Sequence, residues 1–144
     1  MHVARILDTK GENVFALAPE ATVSEALNAL AEHDIGALLV REPDGRVCGI
    51  ISERDIVRAL SHEGAGCLGA QVRALMSSEL VHCGPNDTID TVMAVMTEQR
   101  VRHLPVMQDD RLLGMISIGD VVKHRMEEVQ REAAAMREYI SAAS

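Results

Sequence analysis

The sequence predicts a mixed α/β fold of the α+β type: two β-α-β-β-α repeats packed about a pseudo-twofold axis, with a C-terminal helix added to the second. Three observations predict it. The 144 residues contain a tandem duplication, each copy switches from a helical to a strand-like apolar period, and a glycine-rich stretch separates the copies. Val3-Ala4-Arg5-Ile6-Leu7 is echoed by Val72-Arg73-Ala74-Leu75-Met76, and Pro19-Glu20-Ala21-Thr22-Val23 by Pro85-Asn86-Asp87-Thr88-Ile89 after a shorter loop. Ile35-Gly36-Ala37-Leu38-Leu39-Val40 aligns with Val101-Arg102-His103-Leu104-Pro105-Val106, and Gly49-Ile50-Ile51-Ser52-Glu53-Arg54-Asp55 with Gly114-Met115-Ile116-Ser117-Ile118-Gly119-Asp120. The repeats are placed at 1–62 and 71–127, the linker at 63–70 and the C-terminal helix at 121–143. A repeat of about 60 residues buries too little of its surface to be comfortable alone, so the two are expected to share one core.

Each repeat reads as strand, helix, strand, strand, helix. Thr22 is an N-cap with Glu25 three residues on, the pattern of a capping box, and Val23, Ala26, Leu27 and Leu30 follow at helical spacing. Ile89, Val92, Met93 and Met96 repeat that spacing after Thr88, but Thr91 replaces the glutamate and the box is lost. Two apolar runs of strand length come next, at 35–40 and 47–51, joined by Glu42-Pro43-Asp44-Gly45 with its turn-forming Pro and Asp-Gly. Gln108-Asp109-Asp110-Arg111 makes the same bend in the second repeat.

Composition excludes several classes of function. A hydrophobic fraction of 47% with 25% charged residues builds a core and excludes disorder over most of the length. Fourteen Lys and Arg against 22 Asp and Glu give a net charge of −8, and Phe15 and Tyr139 are the only aromatics, so nucleic acid is not expected as a partner. Cys48, Cys67 and Cys83 are odd in number and too far apart for a CxxC pair, which reads as reduced thiols and a cytoplasmic location. No apolar run reaches the length of a membrane span, and the N-terminus has no signal pattern, so no membrane association is expected.

The V-x-x-[IL]-[LM] opening, the Arg102-His103-Leu104-Pro105-Val106 strand and a G-x-[IV]-[ST]-x-x-D close to each repeat resemble a tandem pair of cystathionine β-synthase (CBS) domains, a Bateman module, over residues 1 to about 127. The resemblance implies a non-catalytic regulatory module. It would bind an adenine nucleotide (AMP, ADP, ATP or NAD) or S-adenosylmethionine in clefts between the repeats, report occupancy to a regulated protein partner, and dimerise through its helices.

The residues also have a physical reading. Ser52-Glu53-Arg54-Asp55 starts a helix after a strand, so free amides and the positive end of the helix dipole are expected to welcome an anion. Ser52 would hydrogen-bond a phosphate oxygen, Arg54 would neutralise it, and Asp55 would accept from both hydroxyls of a ribose. Ser117 and Asp120 repeat the polar positions, while Ile118 and Gly119 stand where Glu53 and Arg54 stood, so the second site loses a basic group there; Arg100, Arg102 and His103 at the following strand's start could serve either site or form solvated surface. Adenine is expected against Ile35, Ala37, Ile51, Leu104 and Pro105, most of which a core would bury in any case; Gly36 is expected among the nucleotide-binding residues, and Lys10 is an exposed lysine or a second phosphate contact. Capping alone also accounts for the Ser-x-x-Asp pairs, which leaves a purely structural interaction module as the alternative function.

Other patterns fall away. Gly64-x-Gly66-x-x-Gly69 matches the dinucleotide fingerprint as a string but follows a helix rather than a strand. No catalytic or metal-binding pattern is present, and no catalytic cofactor is expected. From Val122 to Ile140, the residues Val122, Met126, Val129, Ala133, Met136 and Ile140 alternate steps of four and three, a heptad seam expected to join a homodimer.

Overall fold

The structure is a computed structural model and describes residues 2–11 and 14–143. In chain order its elements are α1 (Val3–Lys10), β1 (Ala16–Leu17), α2 (Val23–His33), β2 (Ala37–Arg41), β3 (Val47–Ser52), α3 (Glu53–Glu63), α4 (Val72–Leu75), α5 (Ile89–Gln99), β4 (His103–Gln108), β5 (Arg111–Ser117) and α6 (Ile118–Ala143), with a 3-10 helix at Gly64–Gly69. Two compact units emerge, Asn13–Leu80 and Met1–Glu12 with Val81–Ser144.

In the 13–80 unit, β1 pairs parallel with β2 and β2 antiparallel with β3. Thr22 Oγ1 accepts from the Glu25 amide at 3.1 Å, one half of the expected capping box, and Val23, Ala26 and Leu30 of α2 are buried. They pack with Leu38, Val40, Ile51, Ile56 and Val72. The stretch expected as a linker is folded: Cys67 of the 3-10 helix is buried and Leu68 packs against this core. The chain leaves this unit only after Leu80.

The other unit repeats the plan with β4 and β5 antiparallel. Its first strand shrinks to one parallel bridge, Cys83 to Val106, with Cys83 N–H donating to Pro105 O at 3.1 Å and Met107 N–H to Cys83 O at 2.8 Å. The bend between β4 and β5 is a two-residue turn with Asp109 and Asp110 at φ 51° and 63°, the left-handed pair that matches strand twist in a tight hairpin. Its core gathers Val3, Ile6, Leu7, Ile89, Val92, Leu104, Val106, Ile116 and Val121.

Buried apolar residues form a cluster within each unit. Each unit includes a helix absent from the sequence prediction. The repeated V-x-x-[IL]-[LM] opening forms α1 and α4, and each docks on the repeat that does not follow it. Val3 and Ala4 amides donate to Asp87 O and Pro85 O at 3.0 and 2.9 Å; the equivalent Val72 and Arg73 amides donate to Ala21 O and Pro19 O at 2.7 and 3.2 Å. The loop before α2 or α5 thus satisfies the orphan amides that begin the docking helix. Leu7 of α1 then lies on the motif glycine Gly114, and Met76, the residue that follows α4, lies on Gly49, so that a Cβ at either glycine would come within 3.0 Å of it.

Candidate functional site

Both Ser-x-x-Asp sequences sit where a strand turns into a helix. At the β3–α3 turn, the Asp55 carboxylate accepts the Ser52 amide at 2.8 Å and the Ser52 hydroxyl at 3.0 Å, both at Oδ2, and Ser52 Oγ accepts the Asp55 amide at 3.3 Å. This is a reciprocal capping box. Glu53 N–H donates to Gly36 O at 3.0 Å. The β5–α6 turn is built alike: Ser117 N–H to Asp120 Oδ2 at 2.8 Å, Asp120 N–H to Ser117 Oγ at 3.2 Å, and Ile118 N–H to Arg102 O at 2.8 Å. The expectation of free amides is corrected here. Three of the four in each turn are spent, which leaves those of Arg54 and Gly119.

The two turns differ in charge. Arg54 is exposed, and among the described residues it forms no ion pair. In the second turn Lys10, the last residue of α1, reaches Asp120: its Nζ lies 2.6 Å from Asp120 Oδ2 and 2.9 Å from Met115 O. Burial raises the Asp120 pKa, but the bonds from Lys10 and the Ser117 amide, with the lysine's charge, outweigh it and hold the carboxyl below its ordinary value. Neither Asp55 nor Asp120 uses Oδ1 in a hydrogen bond among the described residues.

The strand starts opposite these turns carry the remaining expected residues. Ala37 pairs with Ser52 and His103 with Ser117 at equivalent register. Asp34 and Arg100 each end a helix in the left-handed conformation, at φ 52° and 55°, so Arg100 and Arg102 are exposed just before His103, which is half-buried. Ile35 and Gly36 keep accessible surface. Ala37, Ile51, Leu104 and Pro105 are buried, and Ile51 and Leu104 belong to the core clusters of their units. Ile118 and Gly119 line an open groove of about 550 Å³ along the first turns of α6.

The grip of Lys10 on Asp120 had no signal in the sequence, because 110 residues separate the partners. The carbonyls of Gly36 and Arg102, which take a helix-start amide each, were equally hidden. Among the described residues no group of three His, Cys, Asp or Glu could hold a metal ion, and no helix is long and apolar enough to cross a membrane.

Known proteins share this architecture. A crystal structure of a CBS-domain containing protein from Agrobacterium tumefaciens is 44% identical, covers 87% of this chain and 99% of its own, and superposes with a TM-score of 0.85. A CBS domain protein from Pyrobaculum aerophilum, complexed with AMP, shares the fold at 24% identity, with a TM-score of 0.73 over 83% of this chain and 89% of its own. The mitochondrial CBS domain-containing protein CBSX3 of Arabidopsis thaliana is 35% identical over 83% of this chain, which spans 60% of that relative's length. The family description "CBS domain" matches residues 3–62 and 72–127. With the repeated helix-starting Ser-x-x-Asp turn inside both matched segments, the chain belongs to the CBS domain family, as a tandem pair.

Proposed function

We propose that this chain is a non-catalytic regulatory module that binds an adenosine-containing ligand at its Ser-x-x-Asp turns and passes occupancy to a protein partner. One observation carries the reading. The same turn occurs twice, each time with an aspartate fixed by its own serine amide and with Oδ1 left to accept a hydrogen bond. A carboxylate so held is pre-organised for the adjacent hydroxyls of a ribose. Capping alone needs only one of the two oxygens.

The charges divide the ligand further. Arg54 supplies a cation for phosphate at the first turn, and Arg102 and His103 lie at the strand start facing the second. With most helix-start amides spent, side chains rather than backbone neutralise the phosphate. Ile35 and Gly36 offer what accessible surface the base would meet in the 13–80 unit. The Pyrobaculum protein holds AMP, which makes AMP the first ligand to try, followed by ADP, ATP, NAD and S-adenosylmethionine. Two copies pair, with α6 contributing.

Calorimetric titration and thermal melts of ligand-stripped protein test the reading. A ligand at about a hundred times its Kd stabilises by about 2.7 kcal/mol. Asp55→Ala should abolish that shift at the first turn while the circular dichroism spectrum and oligomeric state stay unchanged. The exposed seam of α6 favours a second reading, an interaction module without a nucleotide. A folded protein that shifts with none of the five ligands would establish it in place of the first.

A further inference from the structure

Beyond residue 127, where the family match stops, α6 runs on to Ala143 as part of a 26-residue helix. Only Val121 and His124 of α6 are buried, and every residue from Val129 to Ala143 is exposed. The heptad seam stands in solvent along its length, with Met126, Met136 and Ile140 58 to 60% exposed. A single helix in water gains little from its own backbone, so an apolar stripe of this kind is stabilised by a partner. The groove beside Ile118, Val122, Met126 and Gln130 continues the same face into the folded body of the unit.

We propose that a second copy of this chain covers the seam, with the two α6 helices parallel and in register as a short two-stranded coiled coil. Val122, Val129 and Met136 occupy its d positions, and Met126, Ala133 and Ile140 its a positions. Charge selects both the occupant and the orientation. The flanking e positions are Lys123, Gln130 and Arg137, and the g positions are Arg125, Glu132 and Tyr139. In a parallel pair each g residue meets the e residue five places on in the other copy. Glu132 then faces the partner's Arg137, twice by symmetry, and Arg125 faces a neutral glutamine. In an antiparallel pair e faces e and g faces g, so Lys123 meets Arg137 at both ends and Glu132 meets its own counterpart. Like charges would oppose one another at each of these contacts. Both members of the favourable pair are available: among the described residues Glu132 is in no ion pair, and the one hydrogen bond of Arg137 runs from Nε to Ala133 O of its own helix at 3.4 Å.

This takes the pairing in the proposed function one step further, to its geometry, and is independent of nucleotide binding. Sedimentation equilibrium of the full chain, with variants at exposed positions that leave the fold untouched, tests it. Arg137→Glu should weaken the dimer about tenfold at low salt, and Glu132→Arg combined with Arg137→Glu should restore it. The difference should fade at 1 M salt, where the Debye length is about 3 Å. Ile140→Cys, at an a position, should give a disulfide-linked dimer on mild oxidation that the wild-type chain does not. Tightening by Arg137→Glu, through attraction to Lys123, would replace the parallel arrangement with the antiparallel one. A dimer indifferent to Arg137→Glu and not linked by Ile140→Cys would keep the pairing and remove α6 from it. A monomer at all concentrations would overturn both.

Discussion

Alanine at Gly49 and alanine at Gly114 should have unequal costs, although the two glycines are equivalent positions of the repeat. A Cβ at Gly114 would stand 2.8 Å from Leu7 Cδ2, with the next atom at 3.7 Å. A Cβ at Gly49 would stand 2.5 Å from Met76 Sδ, a movable side-chain atom, and 2.9 Å from both Met76 Cγ and the backbone oxygen of Ser77. The leucine methyl is the far end of a flexible side chain and can turn away. Ser77 O is fixed, because it accepts the Ile50 amide at 3.0 Å while the Ser77 amide donates back to Ile50 O at 2.9 Å. Overpacking costs about 1–3 kcal/mol, and replacing Gly by Ala recovers about 0.4–1 kcal/mol from the unfolded chain. Gly49→Ala should therefore lose about 1–2 kcal/mol net, and Gly114→Ala no more than about 1 kcal/mol. In thermal melts that is a fall of about 4–8 °C for the first and about 4 °C or less for the second. Urea unfolding followed by circular dichroism gives the free energies directly, and Leu7→Ala with Gly114→Ala should show coupling between the two changes. A Gly114→Ala variant as destabilised as Gly49→Ala would refute the argument that rigid backbone, not side-chain crowding, sets the cost.

Two further outcomes follow from ionisable groups. The Asp120 carboxyl is held below its ordinary value, so the pair with Lys10 contributes stability above the unfolded carboxylate pKa of about 3.9 and loses it as the pH falls through the lower folded value. Lys10→Met should cost about 0.5–1 kcal/mol at pH 7 and progressively less below about pH 4 in melts across that range; a constant difference would remove the ion pair as its cause. Burial, aided by the charge of Asp87, pushes the Cys83 thiol up to about 12. Mass spectrometry after thiol alkylation at pH 8 should find Cys83 unmodified in the folded chain and fully modified in urea, and rapid native labelling would contradict its burial.

The helices at 23–33 and 89–99 and the two hairpins were legible because their determinants are local. Thr22 and Thr88 cap the amides three residues ahead, and apolar spacing of three and four needs only one helix face. Asp109 and Asp110 take the left-handed conformation that a tight hairpin demands. The candidate site was legible as a motif and misread in its electrostatics. Ser52 and Asp55 satisfy one another as the spacing allows, but Gly36 O takes the amide of Glu53, and no pattern within one repeat announces that bond. An apolar strand residue reads alike in the sequence whether it faces a ligand or a core, so burial is a tertiary fact. Ile51 and Leu104 face cores.

The sequence by itself determined the duplication, the family, the order of most elements and the capped turn that recurs in both repeats. These depend on spacings of a few residues, where chain connectivity already brings the partners together. Tertiary structure decided that each opening helix docks on the repeat that does not follow it, that the glycines at 49 and 114 receive Met76 and Leu7, that Lys10 holds Asp120, and that the α6 seam stays in solvent. Such contacts join residues far apart in the chain, and packing, burial and backbone hydrogen bonding select them only once the sheets and helices are in place.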